Sequence, residues 1–540
     1  MMARATTMVS KEITTLKVLG RAGVIRPYSP PVLVGIARTL RRWGRGPAGG
    51  FATLALRFPD RVGLVDELGE LTFGDLHERS NALAHGLRDL GVREGDSVAV
   101  LCRNHRGFVD TSIAASKLGA DVLYLNTAFA APQLGEVCDR EKPAAIIYDD
   151  EFDELIAEAG VDVPKVHAWQ DGESDLPTTE QLIRDGSTAE LTPPAHRSRS
   201  VILTSGTTGT PKGAPRSEGS IDAGVALLSR LPLKTGWRTH IAAPLFHTWG
   251  WAHLSLAMLM GSTVVLRRKF DPEGCLKAVT EDDCDSLAVI PVMLQRIMQL
   301  PEETLRSHDF SRVKVVAASG SALPGDLGTD WMDHFGDTLY NIYGSTEVAW
   351  ATVAQPQDLR DAPGTAGKPP HATIVKVYDE EGKELPPGQV GRIFVGNSML
   401  FEGYTGGGSK DTIDGLMATG DIGRFDEGGH LFVEGRDDEM IVSGGENVFP
   451  QEVEDCLHRH EAVEDVAAIG VDDDEFGKRL RAFVVLSSPG AADEDTLKAH
   501  VKSNLARYKV PREIVFMEEL PRNATGKVLK RELTEHRVAD

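Results

Sequence analysis

From about residue 60 onward, short runs of β-branched and apolar residues alternate with longer stretches whose apolar positions recur every three or four residues. The runs Val98–Leu101, Val122–Leu125, Ala145–Tyr148, Val201–Leu203, Ser262–Leu266, Leu287–Ile290 and Val313–Ala317 read as strands, and intervening stretches such as Asp75–Leu90 as amphipathic helices. Such alternation predicts a layered α/β fold with largely parallel sheets. After about residue 370 the texture changes. Ile374–Tyr378, Arg392–Val395 and His430–Val433 are separated by Gly, Pro and Asp turns, which predicts a smaller β-rich subdomain. A last unit begins near Gly435-Arg436. Its pattern predicts helix Gln451–Arg459, strands Val466–Val471 and Ala482–Leu486, helix Glu494–Asn504 and strand Glu513–Met517, a small mobile α+β domain on a hinge.

The N-terminal segment follows another rule. Nine basic residues (Arg4, Lys11, Lys17, Arg21, Arg26, Arg38, Arg41, Arg42, Arg45) face one acid, Glu12. Ser29-Pro30-Pro31 reads as a helix start. Beyond it Leu33, Ile36, Leu40 and Trp43 share one helical face, opposite Arg38, Arg41, Arg42 and Arg45. Residues 29–45 therefore suit either an anionic membrane surface or packing on the protein or on a second subunit, and both stay open here. The expected division is a basic extension 1–50, a large domain 51–436 and a small domain 437–540.

Composition narrows the classes. A chain of 540 residues exceeds one ordinary core, and 41% apolar with 26% charged residues is the balance of a soluble globular protein. A net charge of −22 argues against nucleic acid as a general partner. The five cysteines are scattered without zinc or redox spacing. They suit buried thiols in a reducing cytoplasm.

Candidate chemistry concentrates in Thr204-Ser205-Gly206-Thr207-Thr208-Gly209-Thr210-Pro211-Lys212-Gly213, directly after a predicted strand. Glycines allow close approach, hydroxyls and backbone N–H groups wrap phosphate oxygens, and Lys212 adds a cation. Pro211 stands where a Walker A loop needs its second glycine.

Together with Tyr343-Gly344-Ser345-Thr346-Glu347, Thr419-Gly420-Asp421, Gly435-Arg436, Ser443-Gly444-Gly445-Glu446-Asn447 and Pro521-Arg522-Asn523-Ala524-Thr525-Gly526-Lys527, this loop resembles the adenylate-forming superfamily over roughly residues 50 to 530. The resemblance implies ATP, CoA and Mg2+. It implies that Thr204, Ser205, Gly206, Thr207, Thr208, Gly209 and Lys212 bind ATP together with Tyr343, Gly344, Thr346, Asp421 and Arg436. Thr204 and Glu347 would hold the metal, and Lys527, His247 and Glu347 would act in catalysis. By the same resemblance Asp438 is the hinge, Ser443, Gly444 and Gly445 line a CoA tunnel, and His247 and Trp251 border the acyl pocket. Trp251 resembles an indole that gates a fatty-acid tunnel. The expectation is thus a fatty acid–CoA ligase for medium or long chains, cytoplasmic or peripheral at the inner membrane surface, with a homodimer left open. The rivals are a CoA ligase for an aryl or other small carboxylic acid, an acyl-AMP ligase loading a carrier protein, and a non-catalytic acyl-nucleotide sensor or fatty-acid trafficking protein. The chain departs from the family's pattern at Ser217-Glu218, at Leu416-Met417-Ala418 and at the acidic Asp437-Asp438-Glu439.

Overall fold

The computed structural model describes the chain except residues 1, 174, 204–212, 217–220, 402, 404–408, 438–440, 444–445, 449, 474–476, 506–508, 524–525 and 536–540. Two sheets built mainly of parallel strands form the large N-terminal part. The first runs, edge to edge, Thr352–Ala354, Leu339–Tyr343, Val315–Ser319, Ser286–Val289, Arg238–Ile241, Thr263–Val265, Val62–Asp66, Gly69–Thr72. Its inner pairs are parallel and only the two edge strands are antiparallel. The second runs Lys165–Trp169, Ala145–Asp149, Ser97–Leu101, Asp121–Tyr124, Ser200–Leu203, Gly213–Arg216, with only the last pair antiparallel. The apolar runs are continuous because both faces of these strands are covered.

Helix Arg106–Leu118 is buried along its whole length. Its charged residues are accordingly paired: Arg106 with Asp66 at 2.5 Å and Asp110 with Arg79 at 2.8 Å, while Lys117 Nζ donates to Asn81 Oδ1 at 2.6 Å.

The predicted β-rich unit is an antiparallel sheet of Ile374–Tyr378, Gly391–Gly396, Leu416–Phe425, Thr412–Ile413 and Leu431–Arg436. Strand Leu416–Phe425 is absent from the sequence reading because Thr419-Gly420-Asp421 interrupts its apolar run. The C-terminal unit has its own sheet, from Ile441–Ser443 to Glu513–Met517, with helices Pro450–His458 and Glu494–Asn504 packed around a separate core that includes Val453, Leu457, Val484 and Leu497. It meets the large part where Gln295 Nε2 donates to the carbonyl of Glu464 at 2.9 Å and Arg392 pairs with Asp437 at 3.1 Å.

Three helices open the chain: α1 Met2–Arg21, α2 Pro30–Trp43 and α3 Pro47–Arg57. Val18, Ala22, Trp43, Ala48, Phe51 and Leu54 belong to the main core, so all three helices pack on it. The inward face of α2 is Ile36, Leu40 and Trp43, but Leu33 does not join it and is 51% exposed. The backbone of Gly35 sits against Leu56 of α3, which turns Leu33 and Val34 outward. Among the described residues no helix is long and apolar enough to cross a membrane, and all five cysteines are buried.

Candidate active site

One cavity of about 1090 Å³ opens where the large sheets, the antiparallel sheet and the small domain meet. His247 and Trp251, Tyr343, Gly344, Thr346 and Glu347, Asp421 and Arg436, and Lys527 all line it. These residues span 281 positions of sequence, from 247 to 527 counted inclusively.

Topology explains the meeting. Ser319 and Tyr343 end the neighbouring parallel strands Val315–Ser319 and Leu339–Tyr343, and both border the cavity. Crevices at the carboxyl ends of parallel strands are where α/β proteins place ligands. Asp421 arrives from the antiparallel sheet, in register with Arg436 on the adjacent strand. The Tyr343 hydroxyl donates to Asp421 Oδ2 at 2.5 Å and Arg436 Nη1 donates to Oδ1 at 2.9 Å. The backbone N–H of Asp421 is held by Thr419 Oγ1 at 3.0 Å. Burial raises the Asp421 pKa, and the Arg436 guanidinium opposes that rise. Burial, then the charge of Asp421, carries the Tyr343 phenol well above its ordinary value. Each Asp421 oxygen retains acceptor capacity beyond its one donor.

The next segment is tied to a helix start. Ser345 Oγ donates to Glu347 Oε2 at 2.8 Å, and the Thr346 and Thr248 hydroxyls lie 3.2 Å apart. Thr248 begins helix Thr248–Met260, whose N-cap is His247. Burial lowers the His247 pKa to about 4, so the imidazole facing the cavity is neutral at physiological pH. Trp249 fixes this turn by donating from Nε1 to the carbonyl of Val289 at 3.0 Å. Trp251 packs on Tyr124 with ring centroids 4.8 Å apart, and Tyr124 stacks on Phe108 at 4.9 Å. The rings of Tyr124 and Phe108 therefore stiffen the Trp251 wall.

Lys527 belongs to a tight turn. Its N–H donates to Asn523 Oδ1, and the Asn523 N–H donates to the Lys527 carbonyl, both at 2.9 Å. Arg522 anchors the turn on Asp465 at 2.7 Å. Gly526 has φ +75°, and a Cβ there would stand 2.4 Å from Val292, so only glycine lets this turn press on the large domain. The charge of Lys527 reaches Asp421 and favours its ionised form.

Of the other predicted residues, Ser443 ends strand Ile441–Ser443. Thr204, Ser205, Gly206, Thr207, Thr208, Gly209, Lys212, Asp438, Gly444 and Gly445 lie outside the described residues. The sequence reading missed several residues of the lining: Lys410, Gln295, and Ile36 and Leu40 from α2. No local signal marks them, because each looks like an ordinary surface or core residue in its own segment.

The arrangement can hold a polar, multiply hydroxylated ligand at Tyr343, Asp421 and Arg436, set a lysine ammonium beside it, and receive an apolar group along Trp251. Comparison with known proteins fits that chemistry. The AMP-binding enzyme family matches residues 51–405, and the AMP-binding enzyme C-terminal domain matches residues 452–527. The chain is 33% identical over 475 residues to a feruloyl-CoA synthase of Amycolatopsis sp, covering 86% of this chain and 93% of the relative. It is 33% identical over 485 residues to a 2-succinylbenzoate–CoA ligase of Geobacillus kaustophilus, covering 88% of this chain and 95% of the relative. The crystal structure of the anthranilate CoA ligase AuaEII with anthranoyl-AMP superposes with a TM-score of 0.82 at 26% identity, over 91% of this chain and 96% of that one.

Proposed function

Since the chain belongs to the AMP-binding enzyme family, we propose that this AMP-forming acid–CoA ligase acts on an aromatic carboxylic acid. The fatty acid expected from Trp251 gives way to this reading, because the feruloyl-CoA synthase, the 2-succinylbenzoate–CoA ligase and the anthranilate CoA ligase are named for aromatic acids. With it the expected place in fatty-acid and lipid metabolism is withdrawn. The observation that carries the reading is one shared cavity, lined by Tyr343, Asp421 and Arg436 and by Trp251, whose ring is backed by Tyr124, with Lys527 reaching in from the small domain.

In the first half-reaction a substrate carboxylate oxygen attacks the α-phosphorus of ATP. The bond from that phosphorus to the bridging oxygen breaks, and pyrophosphate leaves. Asp421 accepts from the ribose hydroxyls while Arg436 and Tyr343 hold its carboxylate in place. Tyr343 borders the adenine, and the loop 204–212 wraps the phosphates. Lys527 stabilises negative charge as it builds on the α-phosphate and carboxylate oxygens. Neutral His247 closes the acyl pocket without adding a charge. Glu347, which lines the cavity, and Thr204 would supply oxygen donors of the kind Mg2+ takes. The bound ion would offset triphosphate charge.

In the second half-reaction the CoA thiol attacks the acyl carbon, its proton goes to solvent, and AMP leaves. For this step the small domain, 437–540, turns about Asp438 against the large domain, 51–436, and Ser443, Gly444 and Gly445 border the thiol's path. Contact of residues 29–45 with an anionic membrane belongs to the same proposal. Its support is the exposed Leu33 and Val34 beside Arg38 and Arg41.

The test is pyrophosphate release from MgATP across cinnamic-type, benzoic, fatty and amino acids, with and without CoA. Release with an aryl acid, and a thioester when CoA is present, is the expected result. Adenylate without thioester would assign the acceptor to a carrier protein. Release with fatty acids alone would reverse the choice of substrate.

A further inference from the structure

The cavity continues well beyond Trp251. Helix Thr248–Met260 presents Thr248, Trp251, Ser255 and Met258 to it. Ten residues separate the first from the last, a rise of roughly 15 Å at 1.5 Å per residue. One end of this face touches Thr346, beside the nucleotide end. The other reaches the N-terminal helices, where a Cβ on Gly50 of α3 would lie 2.1 Å from Met258 Sδ. The lining there comes from Ile36 and Leu40 of α2 and Leu54 of α3.

We propose that Ile36 and Leu40 of α2 form the distal wall of the acid-binding pocket and select substrates by the size of the group farthest from the carboxylate. This rests on the acid–CoA ligase reading. The family match begins at residue 51, so α2 is an element this chain adds to that match.

A wall that discriminates must be rigid, and α2 is held at several points. Trp43 is buried, with Nε1 3.4 Å from Glu190, and Arg42 pairs with Glu190 at 3.0 Å. Arg197 donates to the carbonyls of Arg42 at 2.8 Å and Arg41 at 3.1 Å, satisfying groups the last turn leaves open. The N–H of Ala48 then donates to Ser116 Oγ at 3.3 Å, fastening the following helix to the core. Both proposed selectors are apolar, so the group they accept is apolar and is rejected by bulk rather than by charge.

The experiment compares wild type with Leu40→Trp, which fills the distal end, and with Leu40→Ala and Ile36→Ala, which enlarge it. Each full-length protein is given an acid series alike at the carboxyl end and graded at the far end, built on whichever acid class the wild type turns over. Leu40→Trp should lower kcat/KM for the largest acids by at least about tenfold relative to the smallest, within the ~10–200-fold that one methylene confers in an apolar pocket. KM for ATP should stay within about twofold. The two alanine variants should shift preference toward larger acids. An unchanged ratio of large to small acids in all three variants would overturn the proposal, as would an equal loss for every acid in both alanine variants. A wild type that releases no pyrophosphate with any acid would instead overturn the ligase reading.

Discussion

At the scale of single residues, Asp421 shows how the site balances opposing terms. Burial pushes its carboxyl toward the neutral form and raises its pKa, while Arg436, a bond from Tyr343 and the nearby charge of Lys527 oppose that rise. In the cavity Lys527 meets the negative charge of Asp421 across the interface, on the large domain. Its part in the proposed reaction is confined to the adenylating geometry. Lys527→Ala is expected to slow pyrophosphate release by about two to three orders of magnitude, the scale for removing one donor that stabilises developing charge. Thioester formation from supplied acyl-AMP should stay near wild type. Measuring the two half-reactions separately checks this, and equal losses in both would contradict the two-geometry mechanism.

At the scale of elements, α2 carries two jobs on two faces. Its inner face, Ile36, Leu40 and Trp43, belongs to the cavity and the core, while Leu33 and Val34 stand outside at 51% and 57% exposure. Six of the large apolar residues most exposed in the described structure, Ile13, Leu16, Ile25, Leu33, Val34 and Leu56, belong to or adjoin these first helices. The proposed contact with an anionic membrane would draw on these residues and on the neighbouring arginines. Leu33→Ser with Val34→Ser should leave stability within about 0.5 kcal/mol, as surface changes do. It should also lower co-sedimentation with phosphatidylserine-containing vesicles. Unchanged sedimentation would remove membrane contact from the reading.

At the scale of the whole molecule, stability is tied to histidines that the fold keeps neutral. Burial lowers His240, His247 and His253 from 6.5 to about 4. Between those values the unfolded chain binds protons that the folded chain refuses. The stability of the neutral fold is thus complete above about pH 6.5 and drains away as pH falls toward 4. Thermal unfolding followed between pH 7.5 and 4 should show Tm falling through that window, with no step from these groups above it. A flat Tm from pH 6.5 to 4.5 would contradict the burial of these rings.

The helices and strands of the α/β part were legible from local pattern, and Glu494–Asn504 and Glu513–Met517 were legible to the residue. Capping residues, glycine turns and apolar runs act over a few positions, so a sequence displays them directly. The same holds for the nucleotide end. Tyr343, Asp421, Arg436 and Lys527 sit in short polar and glycine-bearing segments whose composition is itself the signal. The acid end is different in kind. Ile36, Leu40, Trp251 and Met258 come from two widely separated helices, and an apolar side chain facing a cavity obeys the same periodicity as one facing a packed core. Sequence alone therefore determined the fold class and the adenylate-forming family of this chain. Only the tertiary structure decided which distant segments share the cavity, because packing, not pattern, leaves one apolar face of a helix uncovered.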